Sequence, residues 1–565
     1  MFKPNALYYV DGYKVGHKAM LAPGTTRLFG TEIPRSLKYG PKGATKVVNF
    51  GKKLVWRWIH DQFEENFFFT KEREHNLNYQ MSGGVQMSQQ YDINVLKEKA
   101  QQFGKDMSMY LGLPYDAKHF DDLWELGYLP VSVRSLPEWA EVDPNVVTSG
   151  FINTVDGYAW LTLYLETIAS ALTWKPMLSA TIAKQYRKNC KEWVMKTDPA
   201  NAWLIDFMCH DFSARGLNPH DMVSVGLGHA TSFRGSDTLI AIPAARYYYG
   251  ESDDTVIINS VNASEHSVTC TGIFYYQSLL KTEEGKKHIE KYYSFDAPCE
   301  GSVENPDYLA IAEWLNLKRW LELFRVGILS VVSDTFDLWK LITFILPRLK
   351  DEILSREGKL VIRPDSGDPV DIICGTSGKL GVTTDSPLAT PQEKGVIELL
   401  WGIFGGNVNE QGYKTLDSHI GAIYGDSITL DRQVEIYKRL EAKGFATTNI
   451  VLGVGSYTYA YNTRDSIGLA YKGAWFEVEE NDGEETYPKS YNIYKDPVTD
   501  DGTKKSLKGF QFVYKDENGE YKVESEVSEE KYLSDENELK LIYEDGVFYN
   551  QVTFEEIRKN LQQTL

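Results

Sequence analysis

Six short apolar runs constrain the fold of this 565-residue sequence more than any other feature. Each run ends in Gly, Asp or Ser; they occupy residues 222–226, 256–260, 328–334, 360–365, 422–426 and 450–455. Apolar runs without alternation are typical of strands buried on both faces, and helical spacing separates one run from the next. We therefore predict a barrel-like α/β domain with a parallel sheet over residues 181–465.

The two ends of the chain have a different texture. Residues 1–180 mix helical patterns, such as 158–174, with short strands such as 129–134. Residues 466–565 alternate polar and apolar positions, with Gly-containing turns at 517–519 and 544–546. Such alternation predicts antiparallel strands, which we expect to pack with the N-terminal region. The C-terminal stretch 554–561 predicts a short closing helix.

Composition excludes several classes of function. The formal net charge of −19 argues against a surface that coats nucleic acid. The five cysteines are scattered without metal-ligand spacing, which favours a reducing compartment. We find neither a signal peptide nor an apolar stretch of about 18 residues, so we expect a cytoplasmic protein with no membrane span.

Polar residues follow several of the predicted strands. In parallel α/β folds the chemistry lies at the carboxyl ends of the strands, and here those ends carry Asp334, Arg363, Asp365 and Asp426. A single Asp in such a place is commonly a helix cap. Four polar residues at strand ends in register predict a joint functional site.

A glycine-containing segment, Gly453-Val454-Gly455-Ser456, follows the predicted strand 449–452. We predict a turn here, whose backbone N–H groups can approach a phosphate, and Arg464 could clamp the same group. A tight turn with no ligand explains the glycines about as well. There is no P-loop and no GxGxxG motif.

Three further residues have both a structural and a functional interpretation. His266, beside Glu265 and just past a predicted strand, is either a structural histidine or a reactive one. Tyr13 and Phe212 are most simply core residues, and together they could form a stacking platform for a flat heteroaromatic ligand.

The motifs of the chain resemble, in order, those of the nicotinamide phosphoribosyltransferases. The matching segments are DGYKVGH at 11–17, HDFSARG at 210–216, FRGSDT at 233–238, EHS at 265–267, VVSD at 331–334, IRPDSG at 362–367, GD at 425–426, TRD at 463–465 and KDPV at 495–498. The resemblance implies an irregular α/β barrel joined to a mixed α+β domain whose antiparallel sheet comes from both chain ends. It also implies a homodimer with shared active sites, and formation of nicotinamide mononucleotide and pyrophosphate from nicotinamide and phosphoribosyl pyrophosphate.

By this resemblance, the base-binding residues are assigned one by one. Phe212 and Tyr13 are expected to sandwich the nicotinamide ring, with Tyr13 supplied by the second subunit. Asp237 is expected to accept the carboxamide N–H and to repel the carboxylate of nicotinate. Arg215 and Arg363 are expected to line the same pocket. Asp11, in the first motif, is also expected to bind substrate.

The same resemblance assigns the remaining sites. Asp365 and Asp426, with the Gly425 backbone, are expected to bind the ribose, and Gly455, Ser456 and Arg464 a phosphate. Basic residues expected to hold pyrophosphate or ATP phosphates are Arg35, Lys472, Lys495 and Lys504, with Lys505 competing for the last place. His266 is expected to be phosphorylated by ATP with support from Glu265 and Asp334. Mg²⁺ is expected as cofactor, without assigned ligands.

Some features depart from the family pattern, and three alternatives stay open. The phosphate loop has fewer glycines than usual, Ala214 replaces a larger residue, and residues 253–262 differ. A nicotinate phosphoribosyltransferase is the nearest alternative, although Asp237 argues against it. A sugar-phosphate isomerase or lyase would leave Phe212 and Tyr13 without a role. A non-catalytic protein on the same scaffold should lack charged site residues that are present here.

Overall fold

The computed structural model of the chain describes residues 4–68, 93–376, 389–425, 427–481, 483, 485–495 and 507–564. Its internal contacts divide it into two compact units. The first unit comprises Met1–Thr181, Pro243–Asp253 and Thr463–Thr564, and the second comprises Ile182–Ile242 and Asp254–Asn462. The boundaries predicted from sequence, at 180 and 465, place residues 243–253 in the barrel region, whereas that segment belongs to the first unit.

The strands, in chain order, are β1 (Thr25–Ile33), β2 (Val47–Val48), β3 (Val131–Ser135), β4 (Glu141–Val142), β5 (Ser149–Asn153), β6 (Cys209–Phe212), β7 (Asn262–Ala263), β8 (Val326–Val332), β9 (Glu357–Arg363), β10 (Gly406–Val408), β11 (Lys414–Leu416), β12 (Ile420–Tyr424), β13 (Ile450–Gly455), β14 (Ala470–Asn481), β15 (Thr486–Asn492), β16 (Phe510–Lys515), β17 (Tyr521–Val527), β18 (Lys540–Glu544) and β19 (Val547–Phe548).

The α-helices are α1 (His17–Met20), α2 (Lys52–Asn66), α3 (Ile93–Leu111), α4 (Lys118–Leu126), α5 (Ala159–Thr197), α6 (Pro219–Ala230), α7 (Ala241–Tyr249), α8 (His266–Leu280), α9 (Glu283–Tyr293), α10 (Tyr308–Leu323), α11 (Leu338–Lys340), α12 (Leu346–Arg348), α13 (Lys350–Leu354), α14 (Pro369–Cys374), α15 (Pro391–Lys394), α16 (Val396–Phe404), α17 (Leu430–Ala442), α18 (Ser456–Ala460), α19 (Glu529–Leu533) and α20 (Phe554–Gln563). Within the described ranges, no helix is long and apolar enough to cross a lipid bilayer.

A seven-stranded antiparallel sheet forms the centre of the first unit. Its strand order is β15-β14-β1-β5-β3-β18-β19, so strands from both ends of the chain alternate across it. The N-terminal β1 pairs with β14 on one side and with β5 on the other. The predicted antiparallel sheet built from both chain ends is therefore confirmed.

Helix α2 covers this sheet because its apolar residues recur at helical spacing. The buried Trp56 ring contacts Phe151 of β5 and Tyr543 of β18. The closing helix α20 begins where Thr553 and Glu556 form a reciprocal capping box. The prediction of a closing helix is confirmed.

The second unit contains a six-stranded parallel sheet in the order β6-β13-β12-β9-β8-β7. Two isolated parallel bridges extend the sheet beyond β6. Asp211 of β6 pairs with Ser236, and Gly235 pairs with Asn259, which lies three residues before β7. The sheet therefore curls back on itself, and the predicted irregular α/β barrel is confirmed. Four of the six predicted strands are real, namely β8, β9, β12 and β13.

The other two predicted strands are wrong. Residues 222–226 lie inside α6, because Asn218 caps the helix and Pro219 occupies its first turn. Residues 256–260 contribute one bridge, and the strand is the shorter β7 that follows. Strand β6 was not predicted, since its central residues His210 and Asp211 are polar. An apolar run identifies a buried segment without separating strand from helix.

Candidate active site

A cavity of about 660 Å³ lies along the inside of the barrel in the second unit. Strand β9 lines it from Glu357 at its start to Arg363 at its end. Phe212 and Asp237 also line the cavity, together with Arg363. The fold therefore brings together three of the predicted base-pocket residues. Arg215 is exposed on the short helix after β6 and is not part of the lining.

The aromatic ring of Phe212 has a charged and a polar neighbour. The guanidinium carbon of Arg363 lies 4.9 Å from the centre of the Phe212 ring, a cation–π distance. The imidazole of His210 lies 4.6 Å from the same ring, centre to centre. Phe212 and Arg363 are the last residues of β6 and β9, so the parallel sheet delivers both side chains to one edge.

The Asp237 carboxylate is held through one of its oxygens. Its Oδ1 is 2.9 Å from His210 Nε2 and accepts a hydrogen bond from Ser260 Oγ at 2.5 Å. Burial by itself raises the pKa of Asp237, but the bonds from His210 and Ser260 and the charge of Arg363 bring that pKa below its ordinary value. The group is therefore an anion at neutral pH. Within the part of the chain that the structure describes, Oδ2 has no hydrogen bond.

The ends of β8 and β9 carry a second group of predicted residues. Val332 pairs with Arg363, which places the following loops side by side. The Oδ2 atom of Asp334 accepts bonds from the backbone N–H of Asp365 at 2.9 Å and of Ser366 at 2.7 Å. The Ser366 hydroxyl donates to the same oxygen at 2.6 Å. The ends of β8 and β9 therefore lie side by side, as predicted. Asp426 lies outside the described residues.

Gly425, which follows β12, has no space for a side chain. A Cβ atom there would lie 2.3 Å from Asp365 Oδ1 and 2.7 Å from Arg363 Nε. Both of those atoms are buried without a hydrogen-bond partner among the described residues. Glycine at this position therefore lets a carboxylate and a guanidinium converge on one point, with Arg363 Nη2 3.7 Å from Asp365 Oδ1.

His266 is the first residue of α8, directly after its N-cap residue Glu265. Its Nδ1 atom is 3.1 Å from Thr335 Oγ1, and its Nε2 atom is 3.8 Å from Asp334 Oδ1. The side chain is 49% exposed. The ring is thus oriented by the loop after β8 and still open to solvent. The Glu265 side chain makes no capping bond, and its supporting role stays a prediction.

The predicted glycine turn is wrong in its geometry. Strand β13 continues to Gly455, and α18 begins at the next residue, Ser456. Gly453 is required by packing inside the sheet, because a Cβ atom would lie 2.8 Å from the Phe212 ring and 2.7 Å from the Tyr424 carbonyl. The first-turn amides of α18 lack acceptors within the helix, as at any helix start. The phosphate role of Gly455 and Ser456 stays a prediction.

Other predicted residues lie in the first unit. Asp11 accepts a bond from Thr167 Oγ1 at 2.9 Å, and the Tyr13 ring is 66% exposed. Lys472 Nζ is 3.8 Å from Glu166.

The remaining basic residues of that group vary in their surroundings. Arg464 is half exposed, and burial lowers the pKa of Arg35. Lys495 is the last residue described before a gap, and Lys504 lies outside the described residues. The structure therefore places Arg464, Arg35 and Lys495 within the first unit, and their phosphate-binding roles stay predictions.

Two residues that bear on the site were not selected from the sequence. His210 and Ser260 bind Asp237, and both line the barrel cavity. His210 lies inside the HDFSARG motif at 210–216, and a polar residue within a buried segment was the feature that could have identified it as a site residue. No feature of the sequence could have identified Ser260, because only the fold brings it to Asp237.

Metal-binding capacity is modest in the described part of the chain. No group of three or more His, Cys, Asp or Glu side chains there could hold a metal ion. Mg²⁺ sites commonly use only one or two protein carboxylates together with substrate phosphates. The buried Oδ1 of Asp365, which accepts no hydrogen bond among the described residues, is compatible with such a site.

Comparison with known proteins identifies the family. The model of the "Nicotinate phosphoribosyltransferase (NAPRTase) family" matches residues 207–532. The nicotinamide phosphoribosyltransferase of Acinetobacter baylyi is 35% identical over 100% of this chain and 98% of its own length. That of Mycoplasma pneumoniae is 29% identical over 88% of this chain and 93% of its own length.

A solved structure, human nicotinic acid phosphoribosyltransferase, is similar at a TM-score of 0.48 and 14% identity, covering 99% of this chain and 93% of that one. This likeness is loose, and the assignment rests on the sequence relatives, which confirm the resemblance seen in the motifs. The chain belongs to the nicotinate phosphoribosyltransferase family, with relatives named nicotinamide phosphoribosyltransferase along its whole length.

Proposed function

We propose that this chain is a nicotinamide phosphoribosyltransferase, a pentosyltransferase of NAD biosynthesis. The observation that carries the proposal is the ionised Asp237 in the barrel cavity, near Phe212 and Arg363, whose Oδ2 accepts no hydrogen bond from the described residues. A carboxylate oxygen accepts the N–H of a carboxamide and repels a second carboxylate. The relatives that match the chain along most of its length carry the same name.

The reaction needs orientation more than acid–base chemistry. The pyridine nitrogen attacks C1 of the phosphoribosyl group, a C–N bond forms, and the C1–O bond breaks with its electrons leaving on pyrophosphate. The lone pair of the nitrogen is already free, so no general base is required. Phe212 would support the ring, Asp237 would fix its carboxamide, and Arg363 would supply positive charge beside both.

Turnover with the two bases separates the proposal from its nearest alternative. Pyrophosphate release should be much faster with nicotinamide than with nicotinate in the presence of phosphoribosyl pyrophosphate and Mg²⁺. The family model is named for the nicotinate enzyme, so a preference for nicotinate is the specific outcome that would overturn the proposal. Release of no pyrophosphate with either base would instead favour a sugar-phosphate isomerase or lyase.

The ribose and phosphate groups are assigned to the remaining predicted residues. We propose that Asp365 and Asp426 bind ribose hydroxyls beside Gly425. The N–H groups at Gly455 and Ser456 would hold the 5′-phosphate. Cationic side chains proposed for phosphate and pyrophosphate binding are Arg464, Arg35, Lys472, Lys495 and Lys504. The convergence of Asp365 and Arg363 over Gly425 supports the ribose assignment.

Asp365 is also the carboxylate that we propose to hold Mg²⁺ together with the substrate. Its Oδ1 atom is buried and accepts no hydrogen bond among the described residues. Bound there, the ion would neutralise charge on the departing pyrophosphate.

We further propose that ATP phosphorylates His266. A ring nitrogen would attack the γ-phosphorus of ATP, releasing ADP, and water would later cleave the P–N bond to give phosphate. The exposed ring, oriented by Thr335 and near Asp334, supports this assignment. His266→Ala should retain basal turnover and lose both ATP stimulation and the phosphohistidine found by mass spectrometry. His288→Ala, in α9, is the matched control, and full ATP stimulation in His266→Ala would overturn the proposal.

A homodimer in the cytoplasm completes the proposal. Helix α8 exposes Val268, Phe274 and Tyr275, apolar side chains that a second copy could cover. The five cysteines are free thiols, as expected in a reducing compartment. If Tyr13 serves the site of the second subunit, mixing inactive Tyr13→Ala and Asp237→Ala chains should restore activity in hybrid dimers. Absence of any restored activity would contradict the shared site.

A further inference from the structure

We propose that His210 is a positioning residue that sets base specificity by fixing the rotation of the Asp237 carboxylate. The inference rests on the proposed function and deepens it, because it concerns how the carboxylate that recognises the carboxamide is aimed. Two donors, His210 Nε2 at 2.9 Å and Ser260 Oγ at 2.5 Å, meet the same oxygen, Oδ1. The other oxygen is consequently the acceptor left for a ligand.

The fold packs the His210 ring closely in the orientation that this bond needs. His210 is in β6, where it pairs with Gly453 of β13, and its side chain is only 11% exposed. A Cβ atom at Gly235 would lie 2.9 Å from His210 Nδ1, so only glycine there leaves room for the ring. The ring also contacts Phe212 at 4.6 Å between centres. Its position is therefore set before any ligand binds.

The direction of the bond has an electrostatic consequence. To bond the carboxylate, Nε2 must carry the hydrogen, which the neutral imidazole can supply through its Nε2–H tautomer. With both donors on Oδ1, the Oδ2 edge of the carboxylate is the part aimed at a ligand. A carboxylate oxygen in that position accepts a carboxamide N–H and opposes the carboxylate of nicotinate.

Two substitutions separate the bond from the shape of the ring. His210→Phe keeps an aromatic ring against Phe212 and removes the N–H donor. His210→Gln removes the ring and keeps an N–H group of similar reach. Loss of a bond to a charged group should raise the KM for nicotinamide about tenfold in His210→Phe and lower the nicotinamide-to-nicotinate ratio of kcat/KM similarly, with kcat little changed. His210→Gln should retain most of both.

Ser260→Ala keeps the test informative if His210→Phe does not fold, because it removes the second donor from the same oxygen. It should shift KM and the base ratio in the same direction. An unchanged ratio in folded His210→Phe, or equal losses with both bases in both His210 variants, would overturn the positioning role. The wild-type base preference, measured in the same assay, tests the proposed function independently: a wild type that prefers nicotinate contradicts that function, whatever the variants do.

Discussion

Asp334 Oδ2 accepts the backbone N–H of Asp365 at 2.9 Å, which ties the loop after β8 to the loop after β9. The same carboxylate lies beside His266 through its other oxygen, which is buried and has no hydrogen bond among the described residues. One side chain thus links the segment proposed for ribose binding to the histidine proposed for phosphorylation.

Replacing Asp334 should therefore affect both stability and activity. Asp334→Ala leaves the Asp365 and Ser366 N–H groups without their acceptor, and we expect the free energy of unfolding to fall by about 1–3 kcal/mol. Turnover should fall as well, because both loops lose their common anchor. Asp334→Asn keeps an acceptor oxygen and should retain most of the stability. Denaturant unfolding and steady-state kinetics measure the two effects, and an unchanged Asp334→Ala would contradict the anchoring role.

Asp365 should behave in the opposite way. Its Oδ1 accepts no hydrogen bond among the described residues and has only the ionic contact with Arg363 Nη2 at 3.7 Å, so Asp365→Ala should lower kcat/KM by about 100-fold while changing stability little. Asp368 is the matched control, since it caps α14 through bonds to Val370 and Asp371. Asp368→Ala should cost about 1 kcal/mol of stability and leave kcat/KM nearly intact. If Asp365→Ala lost activity and stability to the same extent, the role of Asp365 would be structural and not substrate binding.

A methyl group at Gly425 should disable the site. Its Cβ would displace Asp365 and Arg363 from their positions, so Gly425→Ala should raise the KM for phosphoribosyl pyrophosphate and lower kcat. Gly402→Ala is the contrasting change, because nothing lies within 4 Å of that Cβ in α16. Alanine stabilises a helix by about 0.5–1 kcal/mol relative to glycine, so Gly402→Ala should stabilise the protein and leave activity unchanged. Normal kinetics in Gly425→Ala would show that the convergence is not needed.

Glu313 should make stability depend on pH. Burial in α10, with the nearby charges of Asp337 and Asp307, raises the pKa of its carboxyl to about 8. The unfolded chain ionises this group near 4.5, so the folded state loses stability as pH rises from about 4.5 to 8. Glu313→Gln should match wild type near pH 4.5 and exceed it at pH 8 by more than about 1.4 kcal/mol, the equivalent of one pKa unit. Equal unfolding free energies at pH 8 would contradict this.

The sequence by itself determined much of the barrel. Uninterrupted apolar runs identified β8, β9, β12 and β13, because a strand covered on both faces has no polar alternation to preserve. Since parallel strands end at a common edge, the same pattern was enough to expect that Asp334, Arg363 and Asp365 meet. The motifs were enough to indicate the family, and Asp237 was enough to indicate nicotinamide as the base.

Only the tertiary structure decided what fixes those residues. A strand as short and polar as β6 has no periodicity of its own and exists through its pairing with β13. The same pairing turned the expected turn at Gly453 into continuous strand and placed His210 against Asp237. Ser260 reaches that carboxylate from a segment 23 residues further along the chain. Hydrogen bonds between residues far apart in the chain depend on tertiary packing, which a local sequence pattern does not encode. The sequence was therefore enough to identify the Asp237 carboxylate, whereas the fold determined which of its two oxygens stays free for a ligand.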